Sequence, residues 1–180
     1  MRLFLAVNFS DIIIKQILNI QEQLRLQSSK GSFTRPENLH LTLVFVGETP
    51  EEKLESIFRI MDGSRCTSGD VLFNRTGCFT HSHKELWWIG ADPCCPGLTL
   101  LKNIRERLLD GFLKAGFSVD KRPFNAHISL GREIRHTAPI ILECPELWIP
   151  VNRISLMKSE RIHGILSYSE LFSVNLDYEK

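Results

Sequence analysis

The stretch NLHLTLVFVG, Asn38 to Gly47, is an apolar run interrupted near its start by a histidine and a threonine. Leu41, Leu43 and Phe45 alternate with Thr42, Val44 and Val46, the period of two expected of a strand. His40 and Thr42, two residues apart, project from one face; Leu41, Leu43 and Phe45 share the other, where core packing is expected. A polar pair on a largely buried strand needs a partner or a task, because burying unpaired hydrogen-bonding groups is costly.

The pattern occurs twice. HLTL at His40–Leu43 is echoed by HISL at His127–Leu130. Both follow a proline and an asparagine (Pro36 and Asn38, Pro123 and Asn125), and both are followed by glycine and a charged residue. One His-x-Thr tripeptide arises readily by chance, and a histidine opening one core strand is ordinarily a satisfied core or edge residue. Two such motifs in equivalent settings, each with a matched hydroxyl, point to a shared site. Imidazole titrates near neutral pH, so a facing pair supplies a general acid and a general base. Attack at phosphorus needs both: one group takes the nucleophile's proton, the other protonates the leaving oxygen. The hydroxyls of Thr42 and Ser129 are suited to donate to non-bridging oxygens as charge builds there. No carboxylate recurs at ligand spacing beside either histidine, so no metal and no cofactor is expected.

The balance of charge narrows the partners. With 22 Lys and Arg against 21 Asp and Glu, the chain lacks the basic excess needed to coat long nucleic acid. A ligand with one or two phosphates, gripped by a local cluster, remains compatible. The five cysteines, two of them adjacent and none in CxxC spacing, resemble neither a disulfide framework nor a zinc site, and are read as reduced thiols. No apolar run has membrane-spanning length and the N-terminus lacks a signal-peptide pattern. A soluble, cytoplasmic, monomeric protein is expected.

Along the chain, RLFLAV (Arg2–Val7) reads as a strand. A helix follows, capped by Ser10, with Ile13, Ile17, Ile20 and Leu24 at helical spacing, and ends at Lys30-Gly31-Ser32. Thr49, Pro50 and Glu52 give the pattern of a capping box opening a second helix, with Leu54, Ile57, Phe58 and Met61 as its buried stripe and Gly63 as its end. Asp70 to Gly90 reads as a hairpin around THSH. After Pro93 and Pro96 a third helix is expected from about Leu98 to Leu113, burying Leu98, Leu101, Ile104, Leu108 and Phe112. FNAHISLGR, WIPVNRISLMKS and LSYSELFSVNL read as three further strands. Distant strands separated by helices imply an α+β fold with helices packed on one side of the sheets.

At this point the residues are similar to a known family. The chain resembles the RNA 2′,3′-cyclic phosphodiesterases, or 2′-5′ RNA ligase family, of the two-histidine phosphoesterase superfamily. The likeness rests on FTRPENLHLTLVFVGE and RPFNAHISLGRE, with RLFLAV at the start and LMKSERIHGILSYSEL, including Ser159, Gly164 and Tyr168, near the end. The resemblance implies a single bilobal domain over residues 1–180. Two pseudo-symmetric antiparallel sheets with outer helices would flank a central groove, and the motif strands 40–43 and 127–130 would come one from each lobe. It implies hydrolysis of a terminal 2′,3′-cyclic phosphate, on RNA 3′ ends or nucleotides, to a 2′-phosphate, and by reversal 2′-5′ joining. His40 would be the proton donor, His127 the proton acceptor, and Arg132 the phosphate ligand. Cleavage of 2′-5′ oligonucleotides or of another cyclic nucleotide, and a non-catalytic RNA-end binding module, are the alternatives. Phe33 departs from the family's usual Trp, and Ser129 from its commoner Thr.

Arg132 lies an odd number of residues from His127, so an ideal strand sends it to the opposite face; a bulge at Gly131 would bring it back. Lys121, Arg122 and Arg135 are expected to make the groove rim modestly basic, with Arg35, Lys158 and Arg161 as secondary candidates. Phe124 is a candidate for stacking on a base, and of Trp87 and Trp88 one is expected to point in and one out. His81 and His83 are read as a solvated turn, His136 as a surface loop residue, and His163 as without chemical role.

Overall fold

The opening strand, β1 (Arg2–Asn8), has five consecutive buried residues between exposed ends. Such a run marks a central strand covered on both faces. Leu3, Leu5 and Val7 enter the main core, whereas Phe4 and Ala6 join Met157 and Tyr168 in a small cluster on the other side. In the computed structural model, which describes residues 1–82, 84–120 and 122–177, β1 lies between β3 (His40–Glu48) and β8 (Arg153–Ile162). With β9 (Ile165–Asn175) they form an antiparallel sheet ordered β3-β1-β8-β9. A second antiparallel sheet, ordered β2-β6-β5-β4-β7, is built from β2 (Lys30–Phe33), β4 (Gly69–His81), β5 (Lys84–Ala91), β6 (His127–Arg135) and β7 (Leu147–Val151). The two motif strands therefore belong to different sheets, and β3 and β6 lie against each other. His83 and Lys121 lie outside the described residues.

Three helices cover the sheets. Helix α1 (Asp11–Gln27) is capped by Ser10, whose hydroxyl accepts from the Ile13 N–H, and buries Ile13, Ile17, Ile20 and Leu24 as their spacing predicts. Helix α2 (Leu54–Gly63) buries Ile57 and Met61 and stacks Phe58 on Phe172 of β9 at 4.4 Å. Helix α3 (Pro96–Lys114) buries Leu101, Ile104, Leu108 and Phe112. It sits so close to β4 that a Cβ on Gly97 would stand 2.1 Å from the Asp70 carbonyl oxygen. One contiguous apolar core joins both sheets and all three helices. No helix among the described residues is long and apolar enough to cross a membrane, and all five cysteines are free thiols.

Several local expectations are corrected. The capping box at Thr49 does not form: a 3-10 turn at Glu51–Lys53 precedes α2, and the Thr49 hydroxyl donates instead to the Gly47 carbonyl. The Thr49 backbone is tied to Met1 at the edge of the sheet, and α2 begins only at Leu54, too far along the chain for the Thr49 hydroxyl to cap it. Pro96 does not interrupt α3 but begins it, where its missing N–H has no partner to lose. Residues 30–33 are not only a helix break; they add β2 beside β6. WIPVNRISLMKS is two strands, with Asn152 marking the crossing from one sheet to the other.

Candidate active site

Both motif strands carry the same irregularity. On β3, Ala6 faces Thr42 and Leu5 faces Val44, so Leu43 is an extra residue; Val46 is a second one, between Phe45 and Gly47. On β6, Trp88 faces Ser129 and Trp87 faces Gly131, so Leu130 is extra; Glu133 is a second, between Arg132 and Ile134. Counted from each histidine, the bulges fall at the same two positions. A bulge reverses the alternation beyond it. Leu43 and Val44 are therefore buried in succession, as are Leu130 and Gly131, and the next residue on each strand is exposed. That residue is Arg132 on β6, turned back onto the face of His127 as a bulge there would require. On β3 it is Phe45, half exposed rather than packed in the core, which corrects the expectation from parity.

The Leu130 carbonyl faces the β2 side of β6, where it accepts from the Thr34 N–H at 2.9 Å, just beyond the Phe33–Gly131 pair, and from Gln21 Nε2 at 2.7 Å. Gln21 is 4% exposed and also donates to the Thr34 carbonyl at 2.7 Å. It was missed in the sequence, although a glutamine one turn after Ile17 and beside Ile20, inside the buried stripe of α1, was the available signal.

The two imidazoles are anchored alike. Nδ1 of His40 lies 2.8 Å from the Asn38 carbonyl, and Nδ1 of His127 lies 2.8 Å from the Asn125 carbonyl. A carbonyl can only accept, so each Nδ1 carries the proton and each neutral ring keeps its lone pair on Nε2. The Thr42 hydroxyl is 2.9 Å from Nε2 of His40 and donates to it. Each ring also meets aromatic neighbours. His40 lies against Phe4 at 4.9 Å and edge-on to Tyr168 at 5.2 Å; His127 is edge-on to Phe79 at 5.2 Å.

These surroundings depress both imidazoles. Burial holds His40 down to about 4, against the favourable bond to Asn38, with the charges of Arg132 and His127 adding to the depression. His127 is lowered by burial and then by Arg132. Arg132 thus lies close enough to act on both rings, and it forms no ion pair with any described residue. An incoming anion would reverse this balance by offsetting the Arg132 charge and favouring the protonated imidazole.

The other candidates are placed as follows. Ser129 is half-buried on the face of His127. Phe124 is half-buried against the core with the Arg105 guanidinium 5.3 Å over its ring. Arg35 pairs with Glu37 at 2.6 Å, Lys158 with Glu160 at 2.7 Å, and Arg122 with Asp120, whose carboxyl it holds down to about 2. Arg161 donates to the Gly164 carbonyl across the β8–β9 turn, and Arg135 is exposed. His136 is more than a surface residue: Nδ1 donates to the Ala138 carbonyl and Nε2 meets Glu85, which also accepts from Trp87 Nε1. Trp87 packs against the core and Trp88 against Phe79. Phe33 packs on the core beneath the Arg25 guanidinium.

Residues 9–88 match the family model described as LigT like phosphoesterase, a span that contains the first motif and ends before the second. An RNA 2′,3′-cyclic phosphodiesterase of Archaeoglobus fulgidus is 34% identical over 73% of this chain and 72% of that protein. One from Methanocaldococcus jannaschii is 32% identical over 73% and 71%. Among solved structures, Escherichia coli LigT complexed with 3′-AMP superposes with a TM-score of 0.82 at 23% identity, covering 97% of both chains. A Thermus thermophilus protein gives 0.78 at 26%, covering both chains fully.

Proposed function

The chain belongs to the LigT-like phosphoesterase family, and from that premise we propose that it is a cyclic phosphodiesterase opening 2′,3′-cyclic phosphates at RNA 3′ ends or on nucleotides. Residues 1–180 act in this reading as one bilobal unit. The observation that carries it is the matched pair of Nδ1-anchored imidazoles on touching strands of two sheets, with Arg132 acting on both.

The tautomers make Nε2 the reacting nitrogen of both rings, and the division of roles between them is the one that the family resemblance implies. Arg132 receives the phosphate, helped by the hydroxyls of Thr42 and Ser129. His127, neutral with its lone pair on Nε2, takes a proton from water as the water oxygen attacks phosphorus. The bond from phosphorus to the 3′ oxygen breaks, and that oxygen takes the proton held on Nε2 of His40. The products are a 2′-phosphate and a free 3′-hydroxyl, and solvent restores the two protonation states. The Nδ1 bonds to Asn38 and Asn125 hold each ring in place and favour its charged form. His40 must be protonated to act, yet it is depressed to about 4 in the free protein. The substrate's own negative charge supplies the compensation, so proton donation is coupled to phosphate binding.

The test is turnover of a nucleoside 2′,3′-cyclic phosphate in excess EDTA, with the product identified as the 2′-phosphate. His40→Ala and His127→Ala are each expected to lose roughly 100- to 10,000-fold in kcat, the usual range for a lost general acid or base. Retained hydrolysis in both variants would refute the mechanism; binding without turnover by the intact protein would favour a binding module.

A further inference from the structure

The order β3-β1-β8-β9 sets β3 and β9 at opposite edges of their sheet, with two strands between them. The edges nevertheless meet. Asn38, just ahead of β3, donates from its side-chain Nδ2 to the Leu166 carbonyl of β9 at 2.9 Å, and the Tyr168 ring of β9 lies 5.2 Å from His40. The sheet is thus curled around His40, with Phe4, Ala6 and Met157 packed inside the curl and Tyr168 against them. Resting on the reading of His40 as the proton donor, we propose that Asn38 is its positioning residue: the side-chain amide clasps the last strand of the curl and so fixes the backbone carbonyl that holds the His40 ring.

The clasp acts through a short, stiff unit. Around the 3-10 turn Pro36–Asn38, the Asn38 N–H donates to the Arg35 carbonyl at 2.9 Å and the Leu39 N–H to the Pro36 carbonyl at 3.2 Å. The peptide between Asn38 and Leu39 carries the carbonyl bonded to Nδ1 of His40, so ring and turn move together. Those bonds stay local to the turn; the amide ties the turn to β9. Proton donation to the 3′ oxygen needs Nε2 of His40 aimed at that oxygen as its bond to phosphorus breaks. A misplacement of about 1 Å in such a group can cost roughly 100-fold in rate.

Stability alone does not account for an amide at this place. Asn38 is 6% exposed, and its Oδ1 has no hydrogen-bond partner among the described residues. Burying an amide with one of its polar atoms unpaired carries a desolvation cost that an apolar side chain of similar size avoids. What the amide adds is direction, because a carbonyl only accepts and Nδ2 must therefore face Leu166. The second motif lacks this device. Asn125 offers its carbonyl to His127 in the same way, at 2.8 Å, but its side chain is exposed and makes no hydrogen bond among the described residues. The two mounts are unequal, and the clasp belongs to His40.

The test compares a nucleoside 2′,3′-cyclic phosphate with its analogue carrying sulfur in place of the 3′ bridging oxygen, from which a thiolate leaves without needing a proton. In Asn38→Ala, kcat is expected to fall about 10- to 100-fold on the oxygen substrate and less than about threefold on the sulfur one. Asn38→Ser, too short to reach Leu166, should show the same selectivity and replaces the alanine variant if that one does not fold. Partial unfolding removes enzyme from both reactions alike, so a merely structural role gives equal losses. Equal losses, or no loss on either substrate, would overturn the assignment. His40→Ala separates it from the reading on which it rests. If that variant also loses equally on both substrates, His40 is not the proton donor and both ideas fall. If His40→Ala is selective and Asn38→Ala is not, only the role of Asn38 falls.

Discussion

Arg132 and Phe45 occupy the same place on two strands related by pseudo-symmetry, and they differ in the way that matters for an anion. Both are turned onto the histidine face by bulges at equivalent positions. One brings a fixed cation, the other an exposed ring. The cation disfavours protonation of both imidazoles until a phosphate offsets it. In the free protein burial first, and the Arg132 charge after it, hold both histidines below their ordinary 6.5, so kcat/KM is expected to peak on the acid side of that value. Arg132→Gln removes a charge that opposes protonation, so the profile should move to higher pH. Its maximum should fall roughly 10- to 100-fold with the lost charge-assisted phosphate contact. A profile that keeps its position while losing height would mean that Arg132 binds phosphate without acting on the rings. The two limbs of such a curve belong to the pair and do not identify the acid and the base.

At the scale of elements, the strand that positions Arg132 is held in shape from outside. Gln21 of α1 reaches the carbonyl of Leu130, the extra residue of the bulge, beside the Thr34 N–H that bonds it too. Gln21→Leu should cost about 1–3 kcal/mol, because a buried carbonyl loses a donor, though Thr34 still reaches it. Urea denaturation would measure that loss. A rise in KM under conditions where the variant is fully folded would show that the bulge also places Arg132. The sequence disclosed the motif strands, the three helices and the histidine pair, because periodicity and the repeated His-x-Thr/Ser are local signals. It did not disclose Gln21, whose role exists only once α1 is packed against β6. The bulge on β6 could be anticipated from Gly131 and the parity of Arg132, whereas β3 offered no glycine beside Leu43 or Val44, so Phe45 was assigned to the core. The break at Asn152 was hidden for a similar reason: β-like residues continue on both sides, and only pairing with different sheets separates them.

For the molecule as a whole, a net charge of +1 leaves little basic excess for gripping a long phosphate track. Much of the surface charge is paired locally, as at Arg35, Arg122 and Lys158, whereas Arg132 is left open. With one or two phosphates engaged, KM for a cyclic-phosphate oligonucleotide should rise less than about tenfold between 50 and 200 mM salt. A steeper dependence, read from initial rates, would reveal a longer phosphate track. The core adds a different constraint. Because the helices and both sheets share one apolar interior, the groove is carried by a single packed body.

The strand order β3-β1-β8-β9 also sets a timetable for synthesis. Strands β1 and β3 emerge early, but β8, the partner on the open side of β1, begins only at Arg153. At ordinary elongation rates the interval from Glu48 to Arg153 lasts roughly 5–20 s. Throughout it a nascent β1–β3 pair would present an unpaired, apolar edge of the kind that neighbouring chains can capture. His40 is translated long before the sheet that holds it can close.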